Sequence, residues 1–220
     1  MFINPKTNPV DRTSLSVAFT VGLYGAAFGA AGVTAGFSIL QTCLLSLLLF
    51  SGASQFAVVG IMGAGGSAIS AIATATLLGF RNALYGIQMA PILKVTGIKR
   101  ILSAQITIDE STAVATLQEN DSDRRRGFYV TGIGVYVFWN LFTYLGALGA
   151  SAIGDPAAWG LDAAVPAAFC GLVWPRIKKK REFLITAAAI ALALLLTPIA
   201  PAGVPIITTV ILAVIFGWKK

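Results

Sequence analysis

Histidine is absent from the 220 residues of this chain. It is the side chain whose ordinary pKa falls between pH 5 and 8. A histidine metal centre and a histidine proton relay are therefore excluded, which leaves Asp, Glu or water as proton carriers near neutral pH. Charge is scarce as well. Only 11% of residues are Asp, Glu, Lys or Arg, against roughly 25% in soluble domains. The two cysteines, Cys43 and Cys170, each lie in an apolar run. They read as two small buried hydrophobes rather than as a disulfide or a metal pair. No spacing matches a metal site, a P-loop, a nucleophile elbow or a dinucleotide fingerprint. That argues against an enzyme, against a bound cofactor and against a chain that powers itself with ATP.

What fills the chain instead is apolar. Hydrophobic residues make up 56% and glycine contributes 23 positions, as expected where helix backbones pack closely in lipid. The apolar runs are continuous rather than alternating, which disfavours a β-barrel. The class expected is an all-α integral membrane protein in a lipid bilayer. The formal net charge is +7, but the basic residues cluster at the ends of apolar runs. That pattern sets membrane topology and is not a nucleic-acid face.

Seven spans are expected, at about residues 15–33, 37–62, 67–89, 128–151, 156–174, 183–196 and 206–218. Residues 1–14 form a polar tail, with Thr13 or Ser14 capping the first helix. Residues 15–220 form one transmembrane domain. Within it, 92–126 is too polar to span and reads as cytoplasmic, interfacial or re-entrant. Thr107 and Glu110 have the spacing of a capping box there. Pro91 is expected to stop the third helix. Asp155 and Pro156 read as a cap and a first-turn proline. Of the sixteen Lys and Arg residues, all but Lys6, Arg12 and Arg81 can be placed on one side, which puts the C-terminus in the cytoplasm. The odd span count then puts the N-terminus outside, and one re-entrant segment would reverse it. Helices one to three and four to six suggest two inverted three-helix repeats followed by one further helix, a transporter layout.

Residues 50–91 carry the sharpest polar signals. Ser54 and Gln55 interrupt one apolar stretch, and Arg81 and Asn82 interrupt the next. Arg81 lies ten residues before Pro91, about 15 Å from that end at helical rise, too deep to snorkel easily. An arginine at membrane depth costs from about 3 to over 10 kcal/mol, so it must face a partner, a cavity or a substrate. Its fork matches a carboxylate; alternatively it pairs with Asp162 or another acid. Tyr85 shares its helix face. The small residues before Gln55 suit either tight packing or an unwound stretch whose backbone meets a ligand. Gln55 either binds substrate or makes an interhelical hydrogen bond. Asp109, Glu110 and Asp162 are the candidate proton relays or ion-pair partners. The bland alternative for the first two is a solvated helix start.

Four segments occur in a fixed order: Gly52-Ala53-Ser54-Gln55-Phe56; Arg81-Asn82-Ala83-Leu84-Tyr85-Gly86 with Pro91 after it; Asp109-Glu110; and Gly160-Leu161-Asp162-Ala163-Ala164 with Pro166 after it. Together they resemble the AzlC-type family, the large subunit of two-component branched-chain amino-acid exporters, over residues 14–218. The resemblance implies efflux of leucine, isoleucine, valine and often methionine across the bacterial inner membrane. It also implies proton coupling and a small AzlD-type membrane partner. Ser54, Gln55, Phe56, Arg81, Asn82 and Tyr85 would then form the substrate site. Asn82 stands where the family pattern often has histidine, and an amide does not carry a proton. The alternatives are a channel or permease for another small solute and a membrane scaffold without transport.

Overall fold

The computed structural model describes residues 8–153 and 177–218 and, between them, residues 158, 167, 170, 171, 173 and 174. The expected fifth helix, with its Asp155 cap and Asp162, lies outside the described residues. Nine helices carry the described chain: α1 Pro9–Thr34, α2 Ile39–Leu48, α3 Gly52–Gly63, α4 Ala68–Leu93, α5 Gly97–Gln105, α6 Asp109–Thr116, α7 Asp121–Ala152, α8 Lys180–Leu196 and α9 Val204–Trp218. Among the described residues two helices, α1 and α7, are long and apolar enough to cross a membrane by length and composition. At helical rise they reach ~39 and ~48 Å, more than the ~30 Å of a hydrocarbon core. Large apolar side chains stay exposed around the outside, Ile69 at 81%, Leu48 at 76% and Ile87 at 72%, a surface suited to lipid rather than water.

Local chemistry sets the helix starts. The Asn8 side chain accepts from the Val10 N–H at 2.9 Å, with Pro9 in the first turn. The first helix thus begins well before the expected caps Thr13 and Ser14, and it absorbs part of the polar tail. Ser38 and Gln41 form a reciprocal capping box on α2 at 3.1 and 2.8 Å. At α6 the expected box does not form. The Ile108 N–H donates to Ser111 Oγ at 3.1 Å, and Thr107 instead donates back to the Ser103 carbonyl at 2.8 Å. Pro91 does not stop α4, which runs two residues further and ends on Lys94 at φ 52. Cys43 is half-buried, while Cys170 is exposed, against the expectation of burial.

Helices α1 and α7 run parallel. Gly22 meets Phe138, Gly25 meets Trp139, and Gly29 meets Thr143 and Ala147. At their starts Arg126 grips Asp11 through two bonds of 2.6 and 2.7 Å. Residue 11 therefore lies at the same end as the 124–126 basic run, which reverses the N-terminal side inferred from counting spans. A Cβ on Gly29 would overlap the Thr143 carbonyl oxygen and lie 2.7 Å from the Ala147 nitrogen. Backbone cannot yield as a flexible side chain does. Gly29→Leu is therefore expected to prevent folding, read as loss of the monodisperse peak in detergent. Gly149→Leu, where a Cβ meets nothing within 4 Å, should leave that peak unchanged.

The stretch 37–62 is not one span. Helices α2 and α3 form a hairpin that enters and leaves at the same end. Thr42 packs on Gly32, and Gly63 returns to Ala35, near the end of α1. Its tip reaches the middle of α7, where Tyr136 donates to the Leu47 carbonyl at 3.2 Å and Gly52 lies against Trp139. Helix α4 then runs antiparallel to α7, with Arg125 Nε donating to the Ile92 carbonyl at 2.8 Å. A second hairpin, α5–α6, starts from that basic end. Its tip meets the middle of α7 at Gly132, beside Ile106, and α6 returns to put Val114 on Gly127. A long helix followed by a hairpin thus occurs twice, α1–α3 and α4–α6, in opposite senses. The expected pairing of the first helix with the helix at 128–151 is corrected: those two run parallel and cannot be inverted mates. Helices α8 and α9 pack on each other, and Ala202 and Gly203 between them meet Gly66 and Ser70. The 178–181 run therefore lies at the end opposite the α3–α4 turn, with the other basic clusters.

Candidate functional site

Breaking a helix inside an apolar bundle leaves its last four carbonyls without intrahelical partners, and no water is at hand to replace them. At the α2 break side chains do so. Gln55 Nε2 donates to the Leu49 carbonyl at 2.6 Å and to the Ser46 carbonyl at 3.3 Å. Gln105 Nε2, from the opposite hairpin, donates to Leu47 at 2.9 Å and Leu48 at 3.4 Å. Trp139 Nε1–H donates to Gln55 Oε1 at 2.9 Å and fixes the amide. Phe50 packs edge-on against Tyr136, and Phe28 and Phe56 surround Trp139.

This clamp holds open a cavity of about 190 Å³ where the two tips meet. A cavity of ~150 Å³ admits benzene. Val21 and Tyr24 of α1, Phe50 to Ala53 with Phe56, Arg81 and Asn82 of α4, Ile108 to Glu110, and Val135 with Trp139 line it. Arg81 Nη1 and Asp109 Oδ2 form an ion pair at 2.9 Å, with side chains 33% and 22% exposed. The Nε of Arg81 and the Oδ1 of Asn82 are buried and have no hydrogen-bond partner among the described residues. A buried donor and acceptor left unmade cost ~1–3 kcal/mol each, so a group that bonds both would bind favourably here.

The cavity also sees two helix N-termini. In α3 the first intrahelical bond is Gln55 N–H to the Ser51 carbonyl at 2.9 Å, and the Ser51 side chain does not cap it. The N–H groups of residues 52–54 therefore have no intrahelical acceptor. Helix α6 starts at Asp109 on the opposite side. Each terminus presents roughly half a positive charge, set against the carboxylates of Asp109 and Glu110. The site can hold a small molecule with an anionic group, a cationic group and an apolar body.

Of the residues expected at a substrate site, the structure brings Phe56, Arg81 and Asn82 to the cavity, together with Asp109 and Glu110. Ser54 and Gln55 are fully buried but do not line it. Ser54 Oγ donates to the Ala75 carbonyl at 2.9 Å, and Gln55 serves the clamp. Tyr85 does not line it either. The acid beside Arg81 is Asp109. Tyr24, Phe50, Ser51 and Trp139 went unrecognised as site residues. The one visible signal was an indole at mid-length of an apolar helix, since a buried Trp N–H needs an acceptor. Among the described residues no group of three or more His, Cys, Asp or Glu side chains gathers as a metal site. A second space of about 530 Å³ lies between α4 and α5, lined by Ala83 and Thr107, the chain neighbours of Asn82 and Ile108, and by Arg100.

Comparison with known proteins agrees with this membrane fold. The family profile described as AzlC protein matches residues 16–153. An inner membrane protein of Escherichia coli, YgaZ, is 29% identical over 194 residues, covering 83% of this chain and 75% of its own. A protein of Archaeoglobus fulgidus named as an uncharacterized membrane protein is 31% identical over 199 residues, covering 89% and 84%. No solved structure matches. This chain is a membrane protein and belongs to the AzlC family.

Proposed function

We propose that this chain is the large subunit of a secondary exporter for branched-chain amino acids, working with a small AzlD-type membrane subunit and driven by protons. The observation that carries the reading is the buried guanidinium edge of Arg81 beside the uncapped α3 terminus, both facing the cavity. A carboxylate matches that fork and satisfies the free N–H groups. The substrate ammonium faces Asn82 Oδ1, Asp109 and Glu110, and its apolar side chain rests among Phe50, Phe56, Val135 and Trp139. Binding makes the substrate carboxylate compete with Asp109 for Arg81. The basic end, with Lys94, Arg124 and Lys178, faces the cytoplasm, and the space between α4 and α5 is the way in. A channel reading has no comparable support, because the Arg81–Asp109 ion pair lines the cavity and presents a binding site rather than an open pore. Branched substrates differ by single methylenes, worth only ~1–3 kcal/mol in a pocket, so several related amino acids share the site.

The test is reconstitution in proteoliposomes, with and without the small subunit, using labelled leucine and an imposed pH gradient. Gradient-driven leucine movement that needs the partner is expected. Leucine currents that do not saturate would replace the carrier reading by a channel, and no movement with or without the partner would overturn leucine as substrate.

A further inference from the structure

We infer that Ser14, Thr112 and Thr131 hold a buried water between α1, α6 and α7, and that this water passes protons between the cavity and the basic end of the bundle. The second half rests on the proton coupling proposed above; the first does not. Ser14 and Thr131 are fully buried and Thr112 is 4% exposed. None of the three hydroxyls has a hydrogen-bond partner among the described residues. Several other threonines satisfy themselves. Thr34 of α1 and Thr116 of α6, like Thr42 of α2 and Thr186 of α8, each donate to the carbonyl four residues back, the usual local outlet, whereas Thr74 of α4 is buried without a partner among the described residues. Ser14, Thr112 and Thr131 leave that outlet unused.

Packing brings them to one level. Ala18, Ile108 and Val135 belong to one core cluster, and the three hydroxyl residues each lie one turn from these towards the basic end. Beyond them, Val10 and Gly127 one turn on and Val114 two residues on come together, and a Cβ on Gly127 would sit 3.4 and 3.2 Å from Val10 and Val114. The hydroxyls are thus enclosed above and below by contacts among the same three helices. A buried water takes two to four polar partners, and three are present. Hard cations take about six or more oxygens, and the surrounding helix carbonyls are committed to their own ladders, so the ligand is water.

The position of this water gives it a use. Asp109 is three residues before Thr112 on α6, and Asp11 is three before Ser14 on α1, so a carboxylate lies about one turn away at each end. The charged groups around the route are Asp109 and Glu110 from α6, Arg81 from α4, Asp11 from α1 and Arg126 from α7. In each hop an O–H bond forms on the accepting oxygen while the O–H on its far side breaks. The hydroxyls and the water end neutral, and one proton moves between the ends.

The test uses the full chain with Thr131→Val, which keeps the side-chain shape, and Ser14→Ala as a second variant. Thermal unfolding reads the water. A bond to water lost should lower Tm by ~2–4 °C. A higher Tm would overturn hydration, because a methyl replacing an unpartnered hydroxyl removes a desolvation penalty. Proteoliposomes holding the chain with its small partner subunit read the route. Leucine counterflow without a gradient should stay at the wild-type rate while pH-gradient-driven uptake falls at least tenfold. Equal retention of both overturns the route alone. A wild-type chain that exchanges leucine without responding to the gradient overturns the route and the coupling together, and the unfolding shift still decides the water.

Discussion

Arg81→Ala should lower leucine flux about 100-fold or more while the chain still folds into the membrane. Truncating one partner of a buried, hydrogen-bonded charge pair costs ~2–5 kcal/mol of binding, and each 1.4 kcal/mol is tenfold. The substrate carboxylate loses the fork and keeps only the α3 terminus. Folding survives because Arg81 is one-third exposed and lines a cavity rather than a packed seam. Arg81→Lys keeps the charge but presents one rotating ammonium instead of two coplanar N–H groups, so an intermediate loss of about tenfold follows. Paired neutralisation separates a binding role from a structural one. If Arg81 only balances Asp109, Arg81→Met combined with Asp109→Leu restores flux. If it holds substrate, the double variant is folded and as inactive as Arg81→Ala. Flux beside a fluorescence-detected size-exclusion profile distinguishes the two.

Arg81 was legible because a guanidinium in an apolar run has few physical excuses. Its partner was legible only as one of several acids, since Asp109 reaches it through a hairpin that local sequence does not announce. The hairpins themselves were hidden by their hydropathy. Residues 37–62 are apolar throughout, and the chain reverses at residues 49–51 because partners from Gln105 and Tyr136 come to the freed carbonyls. Those partners lie 58 and 89 residues away, beyond any window of periodicity. The second hairpin was legible as one of the open readings, a re-entrant segment within residues 92–126. It is too polar to span, and its polarity is what lets a short helix turn back inside the bundle. The α1–α7 seam was visible as small residues at Gly25 and Gly29, but not which helix would meet them. The inverted repeat was suspected with the wrong mates, because a hairpin counted as a span shifts every later helix by one.

Gln55→Leu should cost the fold rather than the substrate. Leucine fills similar volume but donates nothing, so the Ser46 carbonyl and the Trp139 N–H lose their side-chain partner, and the Leu49 carbonyl keeps only the Ser51 N–H at 2.8 Å. Each buried group left unmade costs ~1–3 kcal/mol, and at two such groups, with a third weakened, the sum competes with a total stability of ~5–15 kcal/mol. With ~2–4 °C per kcal/mol for a chain of this size, Tm falls by roughly 10 °C or more, or the protein is lost from the membrane. Trp139→Phe removes one bond, leaves the amide on both carbonyls and should cost a fraction of that. Ser54→Ala, which removes one donor to the Ala75 carbonyl and the 3.1 Å bond to the Ser51 hydroxyl, should also cost less than Gln55→Leu. A substrate-binding Gln55 predicts the opposite: Gln55→Leu at wild-type Tm with leucine flux abolished. Thermal unfolding in detergent beside flux in proteoliposomes decides between them. The geometry favours the clamp, because an amide already spending both its ends on the break at residues 49–51 has nothing left to offer a ligand.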